Sequence, residues 1–128
     1  MSYYDRQGNQ ITMQQWSVLL NDFDYKVVRQ SRGVGKLVST IWLGLDHSCG
    51  GGPPVIFETM VFPLDADGEM TPTDIASDRY HTEEEALKGH EEMCLSYIMP
   101  LDLLVKKLEE DDAALDNSGS AGLRSPND

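Results

Sequence analysis

The sequence predicts a small α+β fold: a three-stranded antiparallel β-meander, one main helix packed on it, a short N-terminal helix and a C-terminal helical extension. Three segments rich in β-branched and aromatic residues follow one another with short connections, a pattern typical of antiparallel strands. Two threonines are each followed three residues later by Gln or Glu, which marks the start of a helix. A chain of 128 residues normally folds as one domain.

The first half of the chain contains the predicted meander. Residues 12–23 are expected to form a helix that begins with a capping box between Thr12 and Gln15. The residues of this helix that follow the 3-4 period and should face the core are Trp16, Leu19, Leu20 and Phe23. The strands are predicted at residues 25–30, 37–45 and 55–62, with a glycine-bearing turn at 31–35.

The second half is predicted to be a polar loop followed by helices. Residues 64–78 are acidic and loop-like. The main helix should begin at Thr82, which forms a capping box with Glu85 at the helix N-terminus. The helix should end near residue 98, before Pro100. The residues of its expected buried stripe, at spacings of 4, 3 and 4, are Ala86, His90, Met93 and Tyr97.

These elements predict the domain organisation. We expect a single domain over residues 1–115, with a core at about 12–98 and a C-terminal helix at about 100–115. Residues 116–128 are polar and rich in Gly and Ser, so we expect a disordered tail.

The charge distribution restricts the kind of partner. The net charge is −12; residues 1–62 hold five acids and five bases, whereas residues 63–128 hold 17 acids and only five bases. Such a surface repels nucleic-acid phosphates and anionic membranes and attracts a basic protein. The acidic run Glu109, Glu110, Asp111 and Asp112 is the candidate for partner binding. We expect neither direct nucleic-acid binding nor membrane binding.

A glycine- and proline-rich stretch, CGGGPP at residues 49–54, could be interpreted as a phosphate-binding loop. Phosphate loops lead into a helix N-terminus, whose free N–H groups hold the anion. Here the stretch leads into a predicted strand, and its prolines lack amide hydrogens. The stretch therefore predicts a connection between strands.

A set of polar residues around this connection is the candidate site. The members of this polar cluster are Asp46, His47, Glu58 and His90. Glu58 lies in an otherwise apolar strand, and His90 lies on the core stripe of the main helix. If His47, Glu58 and His90 converge on an open cavity, they could bind a small ligand or act as an acid–base site. If they are buried, they satisfy one another structurally.

A metal site is the alternative use of the same region. The possible ligands are His47, Cys49, His90 and Cys94. Their H-x-C and H-x3-C spacings fit no common zinc pattern closely, and free cysteines are often small buried apolar groups. We therefore expect no metal and no cofactor, and we leave open whether the two cysteines pair.

The runs VSTIWLGLDHSCGGGPPVIFETMVF (38–62) and DRYHTEEEALKGHEE (78–92) resemble a family of small uncharacterised proteins encoded by bacteriophages and prophages. The likeness covers roughly residues 3–95. The residues that match the family pattern are His47, Glu58, Arg79, Tyr80 and His90, and the two cysteines are not part of it.

The resemblance implies a phage origin rather than an activity. Small acidic phage proteins outside the virion are most often factors that occupy host proteins, including anti-defence inhibitors such as anti-CRISPR proteins. We therefore expect a non-catalytic protein-binding module in the host bacterial cytoplasm, whose partner is a host protein with a basic surface. The alternatives are the His47, Glu58 and His90 pocket described above, and a phage structural or assembly protein.

Overall fold

A four-stranded antiparallel sheet forms the centre of the computed structural model, which describes residues 2–48, 50–98, 105–106 and 108–110. The chain divides into two units, Met1–Ile98 and Met99–Asp128. The elements of the first unit, in chain order, are β1 (Tyr3–Tyr4), β2 (Gln10–Ile11), α1 (Met13–Leu20), α2 (Phe23–Lys26), β3 (Val27–Gly33), β4 (Lys36–Trp42), β5 (Phe57–Pro63), β6 (Ala76–Tyr80) and α3 (Glu83–Tyr97).

The second unit is helical at residues 105–106 and 108–110, within the predicted C-terminal helix. The tail predicted at residues 116–128 lies outside the described residues, and a single domain over 1–115 stays a prediction. Within the described part of the chain, no helix is long and apolar enough to cross a membrane.

The α+β class is confirmed, but the sheet has four strands rather than three. The strand order is β3-β4-β5-β6, and the predicted meander corresponds to the first three of these strands. The fourth, Ala76–Tyr80, lies partly in the segment 64–78 that was expected to be a loop. Its three central residues are exposed, because an edge strand pairs with one neighbour only and does not need an apolar composition.

The N-terminal helix begins as predicted and ends earlier. Thr12 and Gln15 form a capping box with both hydrogen bonds present. The helix ends at Leu20 because Asp22 starts a second short helix, where its side chain accepts a hydrogen bond from the N–H of Tyr25. Phe23 therefore lies at the start of α2 with 67% of its surface exposed, so its predicted core position is wrong.

Helix α3 starts at the predicted cap, Thr82, but it turns a slightly different face to the sheet. The buried residues of α3 are Ala86, Gly89, His90 and Cys94. Tyr97 of the expected stripe is instead 39% exposed. At Gly89 the helix approaches β6 closely, because a Cβ atom there would overlap the hydroxyl of Tyr80. Glycine lets α3 lie directly against this tyrosine.

The hydrophobic core lies between α3, the N-terminal elements and one face of the sheet. Its buried centre consists of Trp42, Ile56, Phe57 and Ala86. Fully burying one such large apolar side chain stabilises the fold by about 1.5–3 kcal/mol. The indole N–H of Trp42 donates to the carbonyl of Tyr4 at 2.9 Å, which attaches the β1-β2 hairpin to this core.

An ion pair joins the hairpin to the start of α3. Arg6 donates to Glu83 through Nε at 2.8 Å and through Nη2 at 2.6 Å. The same guanidinium donates to the carbonyl of Tyr25, whose hydroxyl accepts the backbone N–H of Arg6. Glu83 also lies in the first turn of α3, where the positive end of the helix dipole stabilises a carboxylate.

Candidate functional site

His90 is the centre of a buried polar network that joins α3 to three strands. The His90 side chain is 1% exposed. Its Nε2 lies 2.8 Å from Ser31 Oγ on β3, and its Nδ1 lies 2.7 Å from Thr40 Oγ1 on β4. Thr40 Oγ1 lies 2.6 Å from Thr59 Oγ1 on β5, its partner in the antiparallel register. We call these four residues the His90 network.

Burial lowers the pKa of His90 to about 4, and the positive charge of Arg29 acts in the same direction. His90 is therefore neutral at pH 7. A neutral imidazole has one N–H donor and one nitrogen acceptor, and two hydroxyls can satisfy both. Thus the network removes the cost of burying a polar ring in the core.

Ser31, His90 and Thr40 also have the order of a nucleophile, a base and a group that orients the base. Three features oppose a catalytic role. An imidazole with a pKa near 4 is a weak base at neutral pH. Its second partner is a neutral hydroxyl rather than a carboxylate, and the ring is sealed from solvent. The geometry supports a structural role.

The predicted polar cluster does not converge, so that expectation is corrected. Both ring nitrogens of His90 are engaged by hydroxyls, which leaves no contact for Asp46 or Glu58. Glu58 is adjacent to Thr59 in β5 and therefore points to the opposite sheet face. There its Oε2 lies 3.3 Å from Nε of Arg79 on β6.

Asp46 organises its own loop. Its Oδ1 accepts the backbone N–H groups of Ser48 at 2.8 Å and Val55 at 3.0 Å. These bonds hold the pKa of the Asp46 carboxyl below its usual value. The backbone N–H of His47 donates to the Val55 carbonyl at 2.9 Å. These bonds hold the two ends of the glycine-rich connection together, and a pocket lined by His47, Glu58 and His90 is not formed.

The metal alternative is not supported by the residues that the structure describes. Among them, no three His, Cys, Asp or Glu side chains are placed to hold a metal ion. Cys49 lies outside the described residues, and Cys94 is buried on α3. His90 would have to give up a hydroxyl partner to bind a metal.

Three exposed acids and one lysine lie on the outer side of α3. Glu84, Glu91 and Glu92 are exposed and share a helix face with Lys88. The ion pairs found in the described part of the chain, Arg6–Glu83 and Arg79–Glu58, involve none of these three acids. In the second unit, Glu109 and Glu110 are exposed and helical, whereas Asp111 and Asp112 lie outside the described residues. We call the three acids of the first unit the α3 acidic face.

An open groove of about 490 Å³ lies beside α1. Its apolar walls consist of Ile11 on β2, Val18 and Leu19 on α1, and Tyr25 on α2. Val18 is 72% exposed, although α1 turns other residues to the core. Its polar margin consists of Asp5, Gln14 and Gln15. We call this feature the α1 groove.

Sequence reasoning did not find the partners of His90 or the α1 groove. One available signal was that Thr40 and Thr59 are polar residues within otherwise apolar strands, as Glu58 is. The groove has no such signal, because it depends on how the successive short elements between Asp5 and Tyr25 fold against one another.

Comparison of the chain with protein-family models, curated proteins and solved structures finds no match. The resemblance to phage-encoded proteins therefore stays a prediction, and the proposals below depend on the surface and the contacts of the described residues.

Proposed function

We propose that the chain is a phage-encoded, non-catalytic protein-binding module that occupies a host protein in the bacterial cytoplasm, as an anti-defence inhibitor would. The observation that carries this proposal is the α3 acidic face, where Glu84, Glu91 and Glu92 point to solvent on one helix. Helix α3 is fixed to the sheet by the His90 network, so these charges are presented on a rigid element.

The charge of this surface suits a partner with basic residues. The net charge of −12 produces a long-range field that raises the association rate with a basic surface, more strongly at low salt. The same field opposes contact with nucleic-acid phosphates. We therefore propose a basic protein surface as the target.

The test begins with a pull-down from the host bacterium, using the full chain, to identify and purify the partner. Dissociation constants are then measured over a series of salt concentrations for the wild type and for the triple variant Glu84→Gln, Glu91→Gln, Glu92→Gln. We expect the variant to bind about tenfold more weakly at low salt and to show a shallower salt dependence, since exposed charge pairs each contribute about 0.2–1 kcal/mol.

The matched control removes the same charge elsewhere. Asp67, Glu69 and Asp74 are exposed acids of the β5–β6 connection, and their replacement by Asn, Gln and Asn should change binding much less. Equal loss in both triple variants would show that only net charge matters. Affinity that does not depend on salt or on either variant would contradict the proposal, as would recovery of the protein as a component of purified virions.

A further inference from the structure

We propose that the α1 groove binds an apolar peptide segment of the partner protein that carries a lysine or arginine beside its apolar side chains. This inference rests on the proposed function, because it names the place and the chemistry of the partner contact. It concerns a different surface from the α3 acidic face, so the two can be tested separately.

The shape and walls of the groove fit short apolar side chains. A volume of about 490 Å³ lies within the usual range of binding pockets, about 300–1,000 Å³. The walls provided by Ile11, Val18, Leu19 and Tyr25 are aliphatic and aromatic. Val18 is 72% exposed on an ordered helix that a capping box fixes at its start, so its apolar surface is presented in a defined position.

The charge at the groove selects a basic occupant. Among the described residues that line it, Asp5 is the one that carries a charge. Its Oδ1 accepts the backbone N–H groups of Gln7 at 3.0 Å and Asn9 at 2.8 Å, which fixes the carboxylate in place. The neighbouring base, Arg6, gives its guanidinium to Glu83 and does not pair with Asp5. A cation on the occupant can therefore pair with Asp5 Oδ2, whose contact with Asn9 Nδ2 is long, at 3.4 Å.

Two other occupants fit less well. A second copy of this chain would bring another charge of −12 against the first, which opposes association. A small apolar molecule would remain largely exposed, because the groove is open to solvent and small-ligand sites typically bury about 70–90% of their ligand.

The experiment uses a displayed library of random peptides selected against the full chain. Enriched peptides are synthesised and titrated by fluorescence anisotropy against the wild type and variants. We expect the enriched sequences to combine Leu, Ile, Phe or Met with Lys or Arg. Val18→Gln should weaken their binding about tenfold, which corresponds to the loss of one buried apolar side chain.

Two further variants complete the test. Asp5→Asn keeps an acceptor oxygen for the loop but removes the charge, so it should weaken binding about threefold to fivefold and flatten its salt dependence. Val34→Gln is the matched control, because Val34 is 98% exposed at the β3–β4 turn and does not line the groove. Its binding should equal that of the wild type.

Three results would overturn the groove assignment: no enriched peptides, enriched peptides without basic residues, or equal binding by Val18→Gln and the wild type. In each case, salt-dependent binding of a host protein through the α3 acidic face would still stand. Conversely, peptide binding that is weakened by Val18→Gln but not by the triple variant of the α3 acidic face would support the groove alone.

Discussion

Acidification should destabilise this protein through His90. The pKa of His90 is about 4 in the fold, whereas an unfolded histidine titrates near 6.5. Between these values the unfolded chain binds a proton that the folded chain excludes, so stability falls as the pH is lowered from about 6.5 to about 4. A difference of roughly 2.5 pKa units corresponds to about 3 kcal/mol.

This loss would be large compared with the total stability of a small domain, about 5–15 kcal/mol. The loss is measured by urea denaturation at several pH values, with the fluorescence of Trp16 and Trp42 as the signal. Asp46, whose carboxyl pKa is lowered by the backbone N–H groups of Ser48 and Val55, loses its contribution mainly at still lower pH. The two effects can therefore be separated by the pH range in which they occur.

His90→Gln removes the titrating group. This variant should be less stable than the wild type at pH 7 and should lose less stability on acidification. The two curves of unfolding free energy against pH should therefore approach each other near pH 4. His81→Gln, at an exposed histidine, is the control. It should lose as much unfolding free energy as the wild type between pH 7 and pH 4. Parallel curves for wild type and His90→Gln would refute the reasoning. If His90→Gln does not fold, an NMR titration of the wild-type His90 ring decides, and a midpoint near 6.5 would contradict it.

Three further predictions concern packing and binding. Thr40→Val should cost about 2–3 kcal/mol of stability in urea denaturation because it leaves His90 Nδ1 without its partner, whereas Thr40→Ser keeps the hydroxyl and should cost clearly less. Gly89→Ala should lower stability by about 1–3 kcal/mol, since its Cβ overlaps the Tyr80 hydroxyl, and a thermal midpoint equal to that of the exposed Lys88→Ala would contradict this. Neutral replacements at all four acids of the C-terminal run (Glu109, Glu110, Asp111 and Asp112) should weaken partner binding at low salt more than at high salt; unchanged binding would exclude that run from the contact.

Much of the fold could be predicted because its signals are local. The capping threonine of α3 and the buried composition of β4 and β5 are visible within short windows of sequence. Strand β3 was predicted only in part: residues 25–26 of the predicted strand are helical, and the strand continues to Gly33. Strand β6 could not be predicted in this way. Its residues Ser77, Asp78 and Arg79 are exposed, and only pairing with β5 makes them a strand.

The site was harder to predict, for a related reason. The sequence identified His90 as a polar residue on a buried helix face, which is correct. Asp46 and Glu58 were predicted as partners of His90, because oppositely charged or titratable groups are the obvious partners for a buried histidine. The structure provides hydroxyls instead, since strand register places Thr40 opposite Thr59, beneath α3, and strand alternation turns Glu58 away.

The sequence by itself determined the α+β class, the start of both capped helices, the acidic second half and the burial of His90. Each of these depends on residue type and on spacing within one or two turns or strands. Tertiary structure alone decided which hydroxyls satisfy His90, that Asp5 and Val18 line one groove, and which face of α3 presents its acids. Those features depend on side chains from separate elements, whose distances are fixed only when the elements pack together.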